Sequence, residues 1–141
     1  GNILKGIQDN HQYDFYTTPW CSFWKSTDYV IKTESDSIIV GYPEIAINIG
    51  NRIVFDHCRV PASYNKFQLD ELCYHTSFVL SNDECWDKIN TWGHSNQFNT
   101  HAWFHNKWLN WTEESVDLHP LNPPAWKRAT RHSLKLPKEL L

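Results

Sequence analysis

The chain has 141 residues, a formal net charge of −3, 40% hydrophobic residues and 21% charged residues, the balance of a globular rather than a disordered protein. So weak a charge excludes a general nucleic-acid binder held by phosphate contacts. No apolar run approaches the roughly 20 residues needed to span a bilayer, which excludes a membrane-spanning helix.

The length suits one domain over residues 1–141, and a chain of this size buries roughly two thirds of its unfolded surface. Neither a disulfide nor a metal is then needed merely to fold. No signal or transit peptide is read at the first residues. Cysteines at 21, 58, 73 and 85 are too sparse for a disulfide scaffold and read as reduced thiols. Together these predict a soluble, cytoplasmic protein. Eight tryptophans, eight histidines and no methionine stand out. Large rigid rings of this kind build either a core or the flat walls of a pocket.

Residues 28–33 and 37–42 carry the β-branched runs Tyr29-Val30-Ile31 and Ile38-Ile39-Val40, with Glu34-Ser35-Asp36 as a hairpin turn between them. A second hairpin is predicted next. Ile45, Ile47 and Ile49 alternate with Glu44, Ala46 and Asn48, and Gly50-Asn51 is a two-residue loop before residues 52–55. That register sets Ile47 against Val54 and Ala46 against Phe55, a central hairpin with apolar pairs on both faces.

Pro61 breaks an irregular segment, 57–73, in which Phe67, Leu69 and Leu72 cover a core edge. Residues 74–80 alternate as a strand. Ser81-Asn82-Asp83-Glu84 is a capping box, Leu80 and Cys85 form a hydrophobic staple, and Gly93 sits where a C-terminal cap belongs. Phe104, Trp108 and Trp111 recur at helical spacing and predict a second helix over 96–110. The prolines at 120, 123 and 124 stop it, and a short helix over 125–132 closes the fold. The predicted class is α+β: a mostly antiparallel sheet of about five strands in the first half, with two or three helices from the second half packed on it.

His101 and His105 are four residues apart, and His94 precedes His101 by seven, so on a helix three imidazoles share one stripe. Trp103 and Trp108 would wall a ligand pocket beside them. Glu113, Glu114, Asp117 or His119 would have to complete a metal set there. The order of strand 74–80, capped helix 81–92, Gly93-His94 and Trp103-Phe104 resembles the second half of antibiotic-biosynthesis-monooxygenase-type α+β barrel domains. That resemblance implies a cavity lined by a histidine–aromatic segment.

Cys85-Trp86 near a helix N-terminus resembles papain-like nucleophile segments, which implies a thiolate nucleophile. His119 or His132 would be the base, with Asp117 or Asn122 to orient it. Cys21, in Pro19-Trp20-Cys21-Ser22-Phe23-Trp24, has no base nearby and reads as packing.

His57-Cys58 and Cys73-Tyr74-His75, separated by a 14-residue loop, are the remaining candidate ligands for a divalent metal such as zinc. Asn110-Trp111-Thr112 is a glycosylation sequon, usable only in a secreted chain. Phosphate-cradling, zinc-protease and serine-hydrolase motifs are absent, and five glycines leave little for a phosphate loop.

Three functions follow as expectations. The first is a domain binding a small apolar or aromatic molecule in the Trp/His pocket, with enzymatic chemistry of a monooxygenase or isomerase kind open to it; whether it is an enzyme is undecided. The second is a non-enzymatic protein-interaction domain, viral or host-directed, anchored by the surface tryptophans Trp20, Trp24 or Trp126. The third is a cysteine hydrolase based on Cys85. A homodimer is compatible with this inventory.

Overall fold

The computed structural model describes residues 3–51, 54–57 and 60–140. Among them the elements run α1 (Ile3–Asp9), β1 (Phe15–Thr17), β2 (Trp20–Trp24), β3 (Ser26–Lys32), β4 (Glu44–Ile47), β5 (Phe55–His57), β6 (Val60–Pro61), β7 (Lys66–Gln68), β8 (Cys73–His75), α2 (Asn82–Thr91), α3 (Thr100–Trp103) and β9 (Arg128–Arg131). The class is mixed α and β. In place of one five-stranded sheet there are three small ones, ordered β4-β1-β7, β8-β2-β3-β9 and β5-β6. The chain folds as two compact units, Gly1–Trp20 with Gly41–Cys73, and Cys21–Val40 with Tyr74–Leu141.

In the first unit β1 is the central strand, antiparallel to β4 with Phe15 opposite Ile47, and parallel to β7 with Tyr16 opposite Phe67. Phe15, Tyr16, Thr17 and Leu69 are buried, and the Tyr16 hydroxyl donates to the Asn10 carbonyl at 2.9 Å. Gly6 of α1 lies where a Cβ would come within 2.6 Å of Leu69 Cδ2, so the missing side chain is what lets the helix approach. At the other end Trp20 bridges Gly41, and its indole covers that glycine: a Cβ there would meet Nε1 at 2.7 Å.

The Gly50-Asn51 hairpin turn does not form, and residues 52 and 53 of its expected second strand lie outside the described residues. Such a two-residue turn needs positive φ at its glycine, and no glycine described here has one. Ile49–Asn51 instead winds into a 3₁₀ turn, with the Gly50 amide donating to Asn48 Oδ1 at 3.1 Å. β4 is left to pair with β1, and β5 pairs with β6.

The turn after β3 does form. Thr33 N–H donates to Ser37 O at 2.9 Å, and Asp36, at φ 62°, pairs with Lys32 at 2.7 Å and with Arg128. The return segment 37–40 adds no strand, because β3 is already flanked by β2 and β9. β9 takes residues expected to be helical: Pro123–Trp126 is a 3₁₀ turn and Arg128–Arg131 pairs along β3, Val30 opposite Thr130. Pairing along a neighbouring strand overrides local helix propensity there.

The capping box at α2 is present in full. Its C-terminus differs from expectation: Trp92 is extended and ends the helix, and Gly93 supplies no left-handed cap. The strand expected over 74–80 stops at His75, since Val79 N–H turns back to Thr76 O at 2.9 Å. The next helix begins at Thr100, where Asn99 Oδ1 accepts from Ala102 N at 2.9 Å, and widens into a π turn over Phe104–Leu109. An asparagine able to cap fixes that start four residues later than the apolar period alone indicates.

The second unit closes on Trp24. Trp103, Trp108 and Trp126 meet its ring edge-on at centroid distances of 6.0, 5.1 and 6.2 Å, and Phe78 stacks on it at 5.8 Å. Immediately after Trp24, Lys25 takes a φ of 64° to turn β2 into β3. A side chain in that region is strained, and its contacts hold it there. Lys25 N–H donates to Phe78 O at 2.7 Å. Its ammonium donates to Trp108 O at 2.8 Å and lies 4.8 Å over the Trp108 ring.

Lys25→Met keeps the alkyl stem but leaves a π-turn carbonyl without its charged donor. It is expected to cost about 1.5–3 kcal/mol, read from urea unfolding; an unchanged midpoint would show that the ammonium does not hold the turn.

Candidate functional site

The pocket expected beside the histidine stripe is filled by its own walls. Trp108 is fully buried and Trp103 nearly so. Their indole N–H groups donate to Asn82 Oδ1 at 3.0 Å and Leu118 O at 2.9 Å. Both are core residues, satisfied internally. The three histidines are exposed and partnered separately: His94 lies edge-on to Trp92, His101 edge-on to Trp86, and His105 Nδ1 meets Asn110 Nδ2 at 3.2 Å. The turn at 92–99 and the late helix start take His94 off the helix that carries His101. Among the described residues no three His, Cys, Asp or Glu side chains are grouped to hold a metal. Glu113 instead accepts from the Tyr29 hydroxyl at 3.1 Å, and Asp117 pairs with Lys127 at 3.0 Å.

Cys85 is fully buried, and burial pushes its thiol up to about 12 against the opposing influence of Lys25 and Lys88. At neutral pH it is a protonated core thiol, which removes the nucleophile of the hydrolase reading. His119 Nδ1 accepts from the amides of Leu121 and Asn122 at 3.1 and 3.0 Å, so the ring shapes the turn into Pro123. His132 is spanned likewise, between Thr27 O at 2.7 Å and Leu134 N at 3.0 Å. Cys58 lies outside the described residues, and His57 is described only as a position in β5. Cys21, Cys73 and Cys85 are free thiols.

His75 has a partner that sequence reasoning did not find. Ser22, buried on the neighbouring strand β2, places its hydroxyl 3.1 Å from His75 Nδ1, and Ser77 places another at 3.4 Å. A serine hydroxyl can donate or accept, so these contacts fix the position of Nδ1 on either tautomer. Burial, with the nearby Lys88 charge second, holds its pKa below the ordinary 6.5. The only local signal was the alternation of β2 and β8, and it did not show which strands are neighbours.

The surface offers a different feature, in the first unit. Of eleven large apolar side chains exposed among the described residues, eight belong to that smaller unit. β4 is an edge strand whose exposed side chains include Ile45 and Ile47. Beside it lies a cleft of about 370 Å³ lined by Trp20, Pro43, Glu44, Ile45, Ala46, Ile47 and Phe55. Asn48 N–H donates inward to Asp14 O at 2.7 Å, so by alternation the backbone groups of Ile47 point away from β1. Two residues of β4 oppose one step of β1 at Tyr16/Thr17, a bulge at Ile45 that bends the edge.

None of the known protein families, curated proteins or solved structures compared with the chain matches it. The barrel resemblance and the papain-like resemblance thus gain no support beyond the residues that raised them. Among the described residues no helix is long and apolar enough to cross a membrane.

In the native chain Cys85 is expected to resist iodoacetamide and to react only once guanidinium unfolds the core, read by peptide mass spectrometry; rapid native labelling would show an accessible thiol. A pH dependence also follows. His75 and His119 are both held below 6.5 by burial, so the unfolded chain binds more protons than the folded one as pH falls past that value. Their contribution is present above pH 6.5 and lost as pH falls through the folded pKa values. The urea midpoint should drop between about pH 7 and 5, and His75→Asn, whose amide can hydrogen-bond to the serines without titrating, should flatten that drop. An equally steep drop in the variant would clear His75 of the effect.

Proposed function

We propose that the chain is a protein-interaction module that accepts an extended segment of a partner protein as an added strand along β4. The observation that carries this reading is the asymmetry of the sheet edges. Proteins guard open edges with charges, prolines or cover, because bare ones pair with any extended chain. β9 exposes Arg128 and Arg131, and β7 exposes Lys66. β6 ends in Pro61, which has no amide hydrogen to offer, and β8 is half-buried throughout. β4 instead presents two isoleucines next to an apolar cleft.

Strand addition draws affinity from main-chain hydrogen bonds and selectivity from pockets for alternate side chains, and β4 with its cleft offers both. Trp20 supplies the aromatic anchor that interfaces favour. The other two candidate anchors, Trp24 and Trp126, are core residues. The small-molecule and hydrolase readings have less support, since the indoles proposed as walls fill the core and the proposed nucleophile is a buried thiol.

Panning a random octapeptide display library over the intact chain tests this. Expected are extended, alternately apolar binders whose affinity falls at least about tenfold in Ile47→Lys, a loss of the size that removing one buried interface anchor brings. The variant should keep its far-ultraviolet circular dichroism, and bound peptide should shift the amide resonances of residues 44–48. No binder sensitive to Ile47→Lys would end the proposal.

A further inference from the structure

Resting on that reading, we infer that the segment docking on β4 is a basic one: alternately apolar residues along the cleft, with a lysine or arginine beside Glu44. Among the described residues Glu44 is the single charged side chain lining the cleft. It is exposed on the edge strand and makes no ion pair among the described residues. The β9 edge answers its surroundings with cations, Arg128 pairing with Asp36 and Arg131 with Glu113. The negative charge at β4 has no such answer within the described chain.

A carboxylate at the rim of an apolar groove selects by sign. A strand bringing a cation gains a rim pair there, and one bringing a carboxylate sets two like charges side by side, which is unfavourable in paired strands. A second copy of this chain is the disfavoured occupant: it brings its own Glu44 and a body of net charge −3. Alternation in the incoming strand sends every other side chain toward Trp20, Ile45, Ile47 and Phe55. Those positions want apolar residues, and the rim position wants the cation.

The test pans the octapeptide library in parallel over the intact wild-type chain, Glu44→Gln and Glu44→Lys, keeping only clones that Ile47→Lys fails to bind. Expected is an excess of lysine and arginine over aspartate and glutamate in wild-type clones, lost in Glu44→Gln and reversed in Glu44→Lys. The best basic wild-type peptide should weaken up to about fivefold on Glu44→Gln, the scale of an exposed pair, and the loss should shrink with added salt.

Clones that depend on Ile47 but show the same charge composition on all three chains would overturn the basic partner while leaving strand addition standing. Failure to recover Ile47-dependent clones from any of the three would remove both. Concentration-dependent dimerisation in analytical ultracentrifugation, abolished by Ile47→Lys, would overturn this inference in favour of a second copy as the occupant.

Discussion

The second unit is organised by the burial of one ring, Trp24. It is fully excluded from solvent, and each neighbouring segment contributes an aromatic to enclose it: Phe78 from the turn after β8, Trp103 from α3, Trp108 from the π turn and Trp126 from the 3₁₀ turn before β9. Rings of this size pack edge-on with few alternatives, so each segment must arrive at a particular angle. The cost is visible as well. Trp24 Nε1 is buried with no hydrogen-bond partner among the described residues, a desolvation penalty of about 1–3 kcal/mol that the aromatic contacts must exceed. Lys25, bound at positive φ to Phe78 and Trp108, ties the β2–β3 turn to the same cluster.

That arrangement accounts for the unusual composition without a ligand. Tryptophans suggestive of a pocket are the filling of a core, and the histidines near them are surface residues with separate partners. The chemically distinctive groups inside the unit are held quiet: Cys85 as a protonated thiol, His75 between two serine hydroxyls with its pKa lowered by burial. Function is better sought where packing is incomplete. In the first unit that place is β4, whose isoleucines and cleft are left open while β7 exposes a lysine and β6 ends in a proline.

Parts of this were readable directly. The capping box at Ser81 depends on side chains within four residues of one another, and it forms as read. The strand character of residues 28–32, the turn at 33–36 and the burial of Cys85 likewise follow from local pattern. Trp20 was also legible as a candidate surface anchor, and Ile45 and Ile47 as alternate residues of a strand. What hid the candidate site was the partner of that strand. With residues 52–55 expected to pair with it, β4 became a central hairpin covered on both faces, and no edge was left to notice. The histidine stripe failed for a related reason: Asn99 begins the helix at Thr100, so the turns between His94 and His101 do not follow one helical period.

Local pattern alone sets the mixed class, the cap of α2, the apolar faces and the abundance of rings that must be buried, because each depends on neighbours along the chain. Long-range packing decided that β4 pairs with β1, that residues 128–131 extend along β3, and that Ser22 meets His75. Those choices turn on contacts between residues far apart in the chain, where strand pairing and ring packing outweigh the small preferences of each segment, and local pattern carries no record of them.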